Sequence, residues 1–378
     1  MTRRNFFVLY LAILACIVYL SGCGGGVSDS GSSSSASGST TTTTSSSDNS
    51  TGSSTTTTSA VSTTTTTSNA SGSTTTTTVP ADNSTGTLGS SGVTQNLHGI
   101  KYDTFKYGAF LVVGDYQTLA CNNSQDPMDT ILTSTDAVSW SQVGPCYDNS
   151  TGFSNVHNLY GVAYGYNPFL VVGAHEQILT SPDRLNWTNV PPLNDTIMLY
   201  GAAYLNSTFI AVGQSGTILT SNNASTWTVG ALVTTNNLYG ISNIGGTFYV
   251  VGENGTLLTS TNGTIWTTVS TGSNSALYDI VYGGGIFVIV GESGTILTST
   301  DGTTWTARSS GIQQNLYGVA YGNSTYYTVG ARGTLLSSTD GSTWTVKTSP
   351  TSNTLTQIAY GNGKFVAVGE AGTLITIP

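Results

Sequence analysis

The stretch LYDIVYGGGIFVIVGESGTILTSTDGTTWTA, residues 277–307, sets the pattern from which the rest of the chain is read. It divides into four short runs, LYDIVY, IFVIVG, TILTS and TWTA, each bounded by Gly, Asn, Asp or Ser. Runs of this length, rich in apolar and β-branched residues and punctuated by turn formers, are strand signals. No part of the stretch has a helical period. The four runs are strands A, B, C and D of one unit.

The unit recurs. Val-Gly closes strand B at Gly114, Gly173, Gly213, Gly252, Gly291, Gly330 and Gly369, and from Gly173 onward the spacings are 40, 39, 39, 39 and 39 residues. All six tryptophans, Trp140, Trp187, Trp227, Trp266, Trp305 and Trp344, keep the same beat. Four strands repeated about every 40 residues read as blades of a β-propeller. The rival, an open solenoid, needs distinct capping repeats.

The two ends of the array decide between them. The seventh unit, LTQIAYGNGKFVAVGEAGTLITIP, stops at Pro378 with strands A to C and no D. Near the start, TGTLGSSGVTQNLHG (85–99) matches TWTARSSGIQQNLYG (304–318) at nine of fifteen positions, with Gly86 where the later copy has Trp305. One end lacks a D strand and the other has a spare. The expected fold is therefore all-β, a seven-bladed propeller of four-stranded blades over residues 84–378, closed by an N-terminal strand.

The turn between strands C and D reads Ser-x-Asp/Asn-x-x-x-Trp in six units, built on Asp136, Asp183, Asn223, Asn262, Asp301 and Asp340 with the six tryptophans. It resembles the Asp-box of the bacterial neuraminidase repeat family. That resemblance implies a structural turn: Asp or Asn caps backbone amides, and the indole packs between blades. GESGTILTSTDGTTW is also similar to the photosystem II assembly factor family, seven-bladed propellers that are lipoproteins in cyanobacteria, which implies a scaffold for membrane-complex assembly. The arginine-rich patch of that family has no counterpart in this arginine-poor chain.

The residues before the propeller are of another kind. Arg3 and Arg4 precede an apolar run, Phe6 to Leu20, and then Leu20-Ser21-Gly22-Cys23. This is the layout of an export signal over residues 1–22. Its ending resembles the bacterial lipobox, which implies lipidation of Cys23. The Arg pair also resembles a twin-arginine signal. Gly24 is not the aspartate associated with inner-membrane retention, so the expected location is the outer membrane, facing the periplasm or the cell surface. Residues 23–83 are nearly all Ser, Thr, Gly and Ala, with Asp29, Asp48 and Asp82 as the charged exceptions. Such a segment buries too little apolar surface to offset its ordering entropy and reads as a disordered tether. Its reach is roughly 45 Å. The membrane is thus expected as a partner through the lipid anchor only.

From residue 84 on, 7 Lys/Arg stand against 15 Asp/Glu. Nucleic-acid affinity rests on neutralised phosphates, so nucleic acid is not an expected partner. The propeller is expected to be monomeric and to need no cofactor and no metal.

In a propeller the B–C and D–A loops share one face, and the A–B and C–D turns the other. The first unit carries 12 extra residues between Gly114 and Ile131 and 8 between Trp140 and Leu159, both on the B–C/D–A face. Each insertion holds one cysteine, Cys121 and Cys146. In an exported protein this points to a disulfide, with free or intermolecular thiols as the alternative.

That face also carries two partial rings. Asp115, Glu253, Glu292 and Glu370 follow Val-Gly in four units. The second residue of strand A is His98, then Tyr160, Tyr200, Tyr239, Tyr278 and Tyr317, then Thr356. Asp279 stands where most units have Gly. These residues are candidates for a sugar or cation site, with aromatic stacking and acid acceptors; the alternative is repeated packing beneath solvated turn acids. Such a face would serve a protein or carbohydrate ligand.

Catalysis finds little support. Asp-box sialidases use an arginine triad, and the propeller region has only Arg184, Arg308 and Arg332, at different places in the repeat. No H-E-x-x-H, P-loop or G-x-S-x-G occurs there. A paired-carboxylate glycosidase built on Asp279, Glu253 and Glu292 is the enzymatic alternative. The sequence therefore reads as a non-catalytic envelope lipoprotein whose propeller binds or scaffolds.

Overall fold

The computed structural model describes residues 64–68, 74–78, 86–104, 106–117, 127–147, 157–165 and 167–378. The chain divides into two units, Met1–Ala81 and Asp82–Pro378. In the first, strands Thr64–Ser68 and Thr74–Thr78 pair antiparallel, with Thr66 opposite Thr76. Both strands are runs of Thr within the Ser/Thr-rich tract, in line with the β preference of threonine. The leader, Cys23 and the remainder of the tract lie outside the described residues. Among the described residues no helix is long and apolar enough to cross a membrane.

The second unit holds seven four-stranded antiparallel sheets. In blade 5 strand A is Leu277–Gly283, B Ile286–Gly291, C Ile296–Ser299 and D Thr306–Arg308. The B strands are buried along almost their whole length, as FLVVG and IFVIVG predict. The A strands of successive blades are neighbours all the way round, including those of blades 7 and 1. Each seam between adjacent blades contains its own apolar cluster; at the seam of blades 3 and 4, for example, Ile210, Val212 and Ile218 meet Leu238, Ile241 and Phe248.

The ring closes as the two chain ends require. Thr87–Ser90 is the fourth strand of blade 7, with Leu88 opposite Ile375 and Gly89 opposite Leu374. The Ser91 hydroxyl then donates to the Gly372 carbonyl at 2.7 Å. The missing tryptophan at Gly86 also finds its reason. A Cβ there would meet Ile375 Cγ2 at 2.3 Å and Ile377 Cγ1 at 2.9 Å. Ile377 occupies the place of the turn serine in the other units, so the space is already filled.

Every A strand has a bulge at its second residue. In blade 5 Leu277 pairs with Gly291 and Asp279 with Val290, leaving Tyr278 out of register. A bulge re-aims one side chain, and here the repeated bulge falls on His98, the five tyrosines and Thr356 in turn.

Candidate functional site

The first-blade insertions extend that blade on the B–C/D–A face. Met128 bridges Gln117 on one side and Cys146 on the other. Cys146 is disulfide-bonded; Cys121, its expected partner, lies outside the described residues. Beneath this extra rung Asp129 is wholly buried. Its Oδ2 accepts from the Tyr147 hydroxyl at 2.7 Å and from Gln177 Nε2 at 3.2 Å. Gln142 Nε2 donates to the Asp129 carbonyl at 2.7 Å. Three buried acceptors in this cluster, Asp129 Oδ1, Gln142 Oε1 and Gln177 Oε1, have no donor. Burial pushes the Asp129 carboxyl up to about 7, against the opposing bonds from Tyr147, His157 and Gln177. A carboxylic acid held neutral supplies the hydroxyl donor that a carboxylate lacks.

Next to it the second blade departs from the repeat. The third residue after Val-Gly is Gly in blades 3 to 7, with φ between 67° and 74° in each. There is no room for a side chain: a Cβ on Gly255 would lie 1.8 Å from the Ser273 carbonyl oxygen. In blade 2 that residue is Glu176, with φ 54° and its side chain buried. Its carboxylate accepts from the backbone N–H of Asn194, and burial raises its pKa. His175 stacks on His157 at 4.5 Å, and its Nδ1 lies 2.9 Å from the Asp195 carbonyl. Desolvation, followed by the neighbouring His175, lowers the pKa of His157.

The bulged aromatics form a continuous arc. His98, Tyr160, Tyr200, Tyr239, Tyr278 and Tyr317 follow one another with ring centroids 5.1–5.9 Å apart, all tilted. Thr356 interrupts the arc, its hydroxyl donating to the Leu97 carbonyl at 2.6 Å. Tyr160, Tyr200, Tyr239 and Tyr278 are buried, so these rings pack on one another rather than stand open at a rim. Burial pushes the Tyr160 hydroxyl up to about 12.

The acids after Val-Gly tie loops together. Glu253 accepts from the Asn237 N–H, the Asn237 side chain and the Tyr239 hydroxyl. Glu292 accepts from the Ala276 N–H and Glu370 from that of Thr354. Asp115 accepts from Asn96 and lies 2.6 Å from His98 Nε2. Each carboxylate caps the loop that leads into strand A.

Asp279 acts as a seam staple near the axis. Its two oxygens accept from the N–H groups of Ile280, at 2.8 Å, and Val319 in the next blade, at 3.0 Å. Burial raises its pKa to about 6, opposed by those bonds, by Lys101 and by Gln357. Lys101, whose place in other units is taken by Ala, Ser or Val, has its pKa lowered by burial against the pull of Asp279. The structure thus separates Asp279 from Glu253 and Glu292 by role: it holds a seam, and they hold turns.

The six Ser-Asp/Asn turns are nearly superimposable in their bonding. In blade 5 Asp301 Oδ1 accepts from the Thr303 and Thr304 N–H groups, and the Ser299 hydroxyl donates to it. These bonds hold Asp136, Asp183 and Asp301 well below the usual carboxylate range and Asp340 at about 2. The same contacts recur at Asn223 and Asn262. The indoles of Trp187, Trp227, Trp266 and Trp344 donate to the carbonyl three residues back, and each packs at the seam with the preceding blade. Trp140 and Trp305 pack at their seams with Nε1 unpaired.

A groove of about 640 Å³ opens on blade 4, lined by Asn236, Asn254, Thr256, Thr271 and Ser273 among others. Its hydroxyl and amide groups are mostly engaged with one another, as in the bond from Asn236 Nδ2 to Thr256 Oγ1 at 2.9 Å. Among the described residues no cluster of His, Cys, Asp and Glu suits a metal ion.

Fold and turn chemistry together define a seven-bladed propeller whose elaborated face belongs to its first blades. The family model of the DUF6242 beta propeller domain matches residues 182–309 and 279–377, together a little over half of the chain, and the chain belongs to that family. No curated protein sequence matches it. Among solved structures it is similar to "YCF48 bound to D1 peptide", at 16% identity and TM-score 0.59, over 77% of this chain and 94% of that one. YCF48 from Cyanidioschyzon merolae matches at 16% and 0.59, over 78% and 98%. The WD40 beta propeller domain of Doa1 matches at 13% and 0.55, over 77% and 97%. At these identities the likeness is one of fold.

Proposed function

We propose that the propeller is a non-catalytic binding or scaffolding module that engages a protein partner through the B–C/D–A face of its first blades. The observation that carries this is the extra rung on blade 1, where Met128 is bridged from both sides above buried Asp129. A rigid ring that repeats its loops closely elsewhere has elaborated one face at one place, and that is where recognition is cheapest to build. A propeller of the same fold has been solved with a peptide bound, as YCF48 with D1 peptide, which supports a protein partner. In this reading Cys121 and Cys146 form one disulfide that fixes the two insertions to each other. Cys23 carries the lipid, residues 1–22 are removed on export, residues 23–83 form the tether, and the protein resides in the outer membrane.

A carbohydrate ligand is the second reading, favoured by the neutral hydroxyl and amide lining of the blade 4 groove. Cross-linking in intact cells, with wild-type chain and with a chain whose 118–126 and 148–156 segments are replaced by short Gly-Ser connectors, separates the readings. A protein adduct that disappears with the insertions supports the proposal. Adducts indifferent to the insertions, or turnover of chromogenic glycosides by the purified chain, overturn it.

A further inference from the structure

The loops entering strand A share a small device at the position six residues before its leading leucine. Ser91, Thr271, Ser310 and Ser349 stand there, and in each the hydroxyl accepts from the N–H two residues on. Ser91, Thr271 and Ser310 are buried, and Ser91 and Thr271 also donate to the carbonyls of Gly372 and Gly255 in the neighbouring turn. In the loops that leave blades 2 and 3 and enter the A strands of blades 3 and 4, the same position is Leu193 and Leu232. Neither folds inward: Leu193 is 53% exposed and Leu232 68%. The repeat has given up a buried hydroxyl bond in two successive loops and placed a leucine in water, a loss of local stability with no gain in the core.

Their surroundings continue the pattern. Val233 and Tyr116 are also exposed, and on this face the strongly exposed large apolar side chains among the described residues all belong to blades 1 to 3. The Leu193 loop is propped from beneath by the buried Glu176 carboxylate, which accepts from the Asn194 N–H. Lysine and arginine are absent from this sector. The chain has none between Lys106 and Arg184 or between Arg184 and Arg308, while Asp195 follows Leu193 by two residues, 3.8 Å from His175 Nδ1, and Glu253 caps the Leu232 loop through Asn237.

We infer that Leu193, Leu232 and Val233 form an apolar docking strip for a protein segment that alternates apolar with Lys or Arg residues. The inference rests on the binding-module reading and narrows it to a place and a partner chemistry. Apolar contact supplies affinity, and the flanking carboxylates select the charge. An acidic segment meets uncompensated repulsion there.

The test uses the full chain and four fluorescein-labelled 16-residue peptides, composed of Leu/Lys, Leu/Glu, Ser/Lys and Leu/Ser, read by fluorescence anisotropy. The Leu/Lys peptide is expected to bind at least tenfold more tightly than the other three. The double variant Leu193→Ser, Leu232→Thr restores the hydroxyl of the other loops, so it should keep its melting temperature while losing tenfold or more in affinity. Leu232→Lys, at a position mostly in water, should weaken Leu/Lys and strengthen Leu/Glu. The double variant Leu185→Ser, Ile265→Thr on the opposite face should change nothing. Equal affinity of wild type and the first double variant for Leu/Lys overturns the strip while leaving the binding module standing. Leu/Glu binding as tight as Leu/Lys, or no binding by wild type, overturns the partner chemistry, and the cross-linking result then decides the module on its own.

Discussion

Replacing Asp129 by Asn should stabilise the protein at neutral and alkaline pH and leave it unchanged in acid. Asp129 has no exposure, and its Oδ1 lacks a donor, as do the side-chain oxygens of Gln142 and Gln177, whose amides bond elsewhere to the same residue. The neutral acid brings a hydroxyl donor to this acceptor-rich cluster; the carboxylate brings none. Because the folded carboxyl has its pKa raised from 3.8 to about 7, the native state binds more protons than the unfolded chain across that interval. Stability from this group is therefore complete below about pH 4, falls as pH rises from 4 to 7, and is level above that. At 1.36 kcal/mol per pH unit over about three units, the loss is ~4 kcal/mol, or ~6 °C in melting temperature for a domain of this size. Asn cannot ionise, keeps an oxygen for Tyr147, Gln177 and the His157 N–H, and offers an amine toward the orphaned acceptors. Urea melts of wild type and Asp129→Asn from pH 4 to 8.5 should show two curves that meet at pH 4 and diverge toward pH 7. Taking the difference between the two proteins cancels Asp279, whose pKa is raised in the same direction. A constant gap across the range, or a variant weaker than wild type at pH 8, refutes the reasoning.

Other substitutions probe the ring. Trp227→Ala removes the most buried indole, at the seam of blades 2 and 3, and should cost ~3–5 kcal/mol in chemical denaturation; a loss under 1 kcal/mol would show that the indole is not seam packing. Deleting residues 84–92 strips the fourth strand from blade 7 and exposes Leu374 and Ile375, so the melting temperature should drop by many degrees and the transition should broaden. Gly86→Ala places a methyl against Ile375 and Ile377 and should destabilise, measured by thermal melt, where the same change at exposed Gly272 would act only through its positive φ. Cys23→Ala should move the protein from the membrane to the soluble fraction on cell fractionation.

What could be read from residues alone follows the period. Seven Val-Gly marks and six tryptophans establish seven blades, and the mismatch between Gly86 and Pro378 establishes the closure, because a ring must account for every strand. The tyrosine ring was visible as a column, but its burial was not, since the bulge that turns each ring onto its neighbour is a backbone event. Lys101 and Asp279 are 178 residues apart, and only a closed ring brings both near one axis. Asp129 lies in an insertion without a repeat partner against which its strangeness could be measured. Glu176, Leu193 and Leu232 are different: aligning the units puts a Glu in a column of Gly and two Leu in a column of hydroxyls. That comparison needs no coordinates, but its meaning does, because only exposure distinguishes a misplaced core residue from a presented one.

The ring thus divides by what each sector has retained. Blades 4 to 6 keep the glycine after the B strand, and the loop leaving each keeps the hydroxyl six residues before the next A strand; in blade 4 that hydroxyl, on Thr271, donates across to the Gly255 carbonyl. Blades 1 to 3 have given up these contacts one at a time, to an extra rung, to Glu176, and to Leu193 and Leu232. If the changes were drift, the lost contacts would be scattered around the ring and on both faces. They are contiguous and share one face. Restoring the lost contacts should therefore raise stability blade by blade while removing whatever that face holds, and a restored chain that gains stability and keeps its ligand would show the irregularities to be ornament.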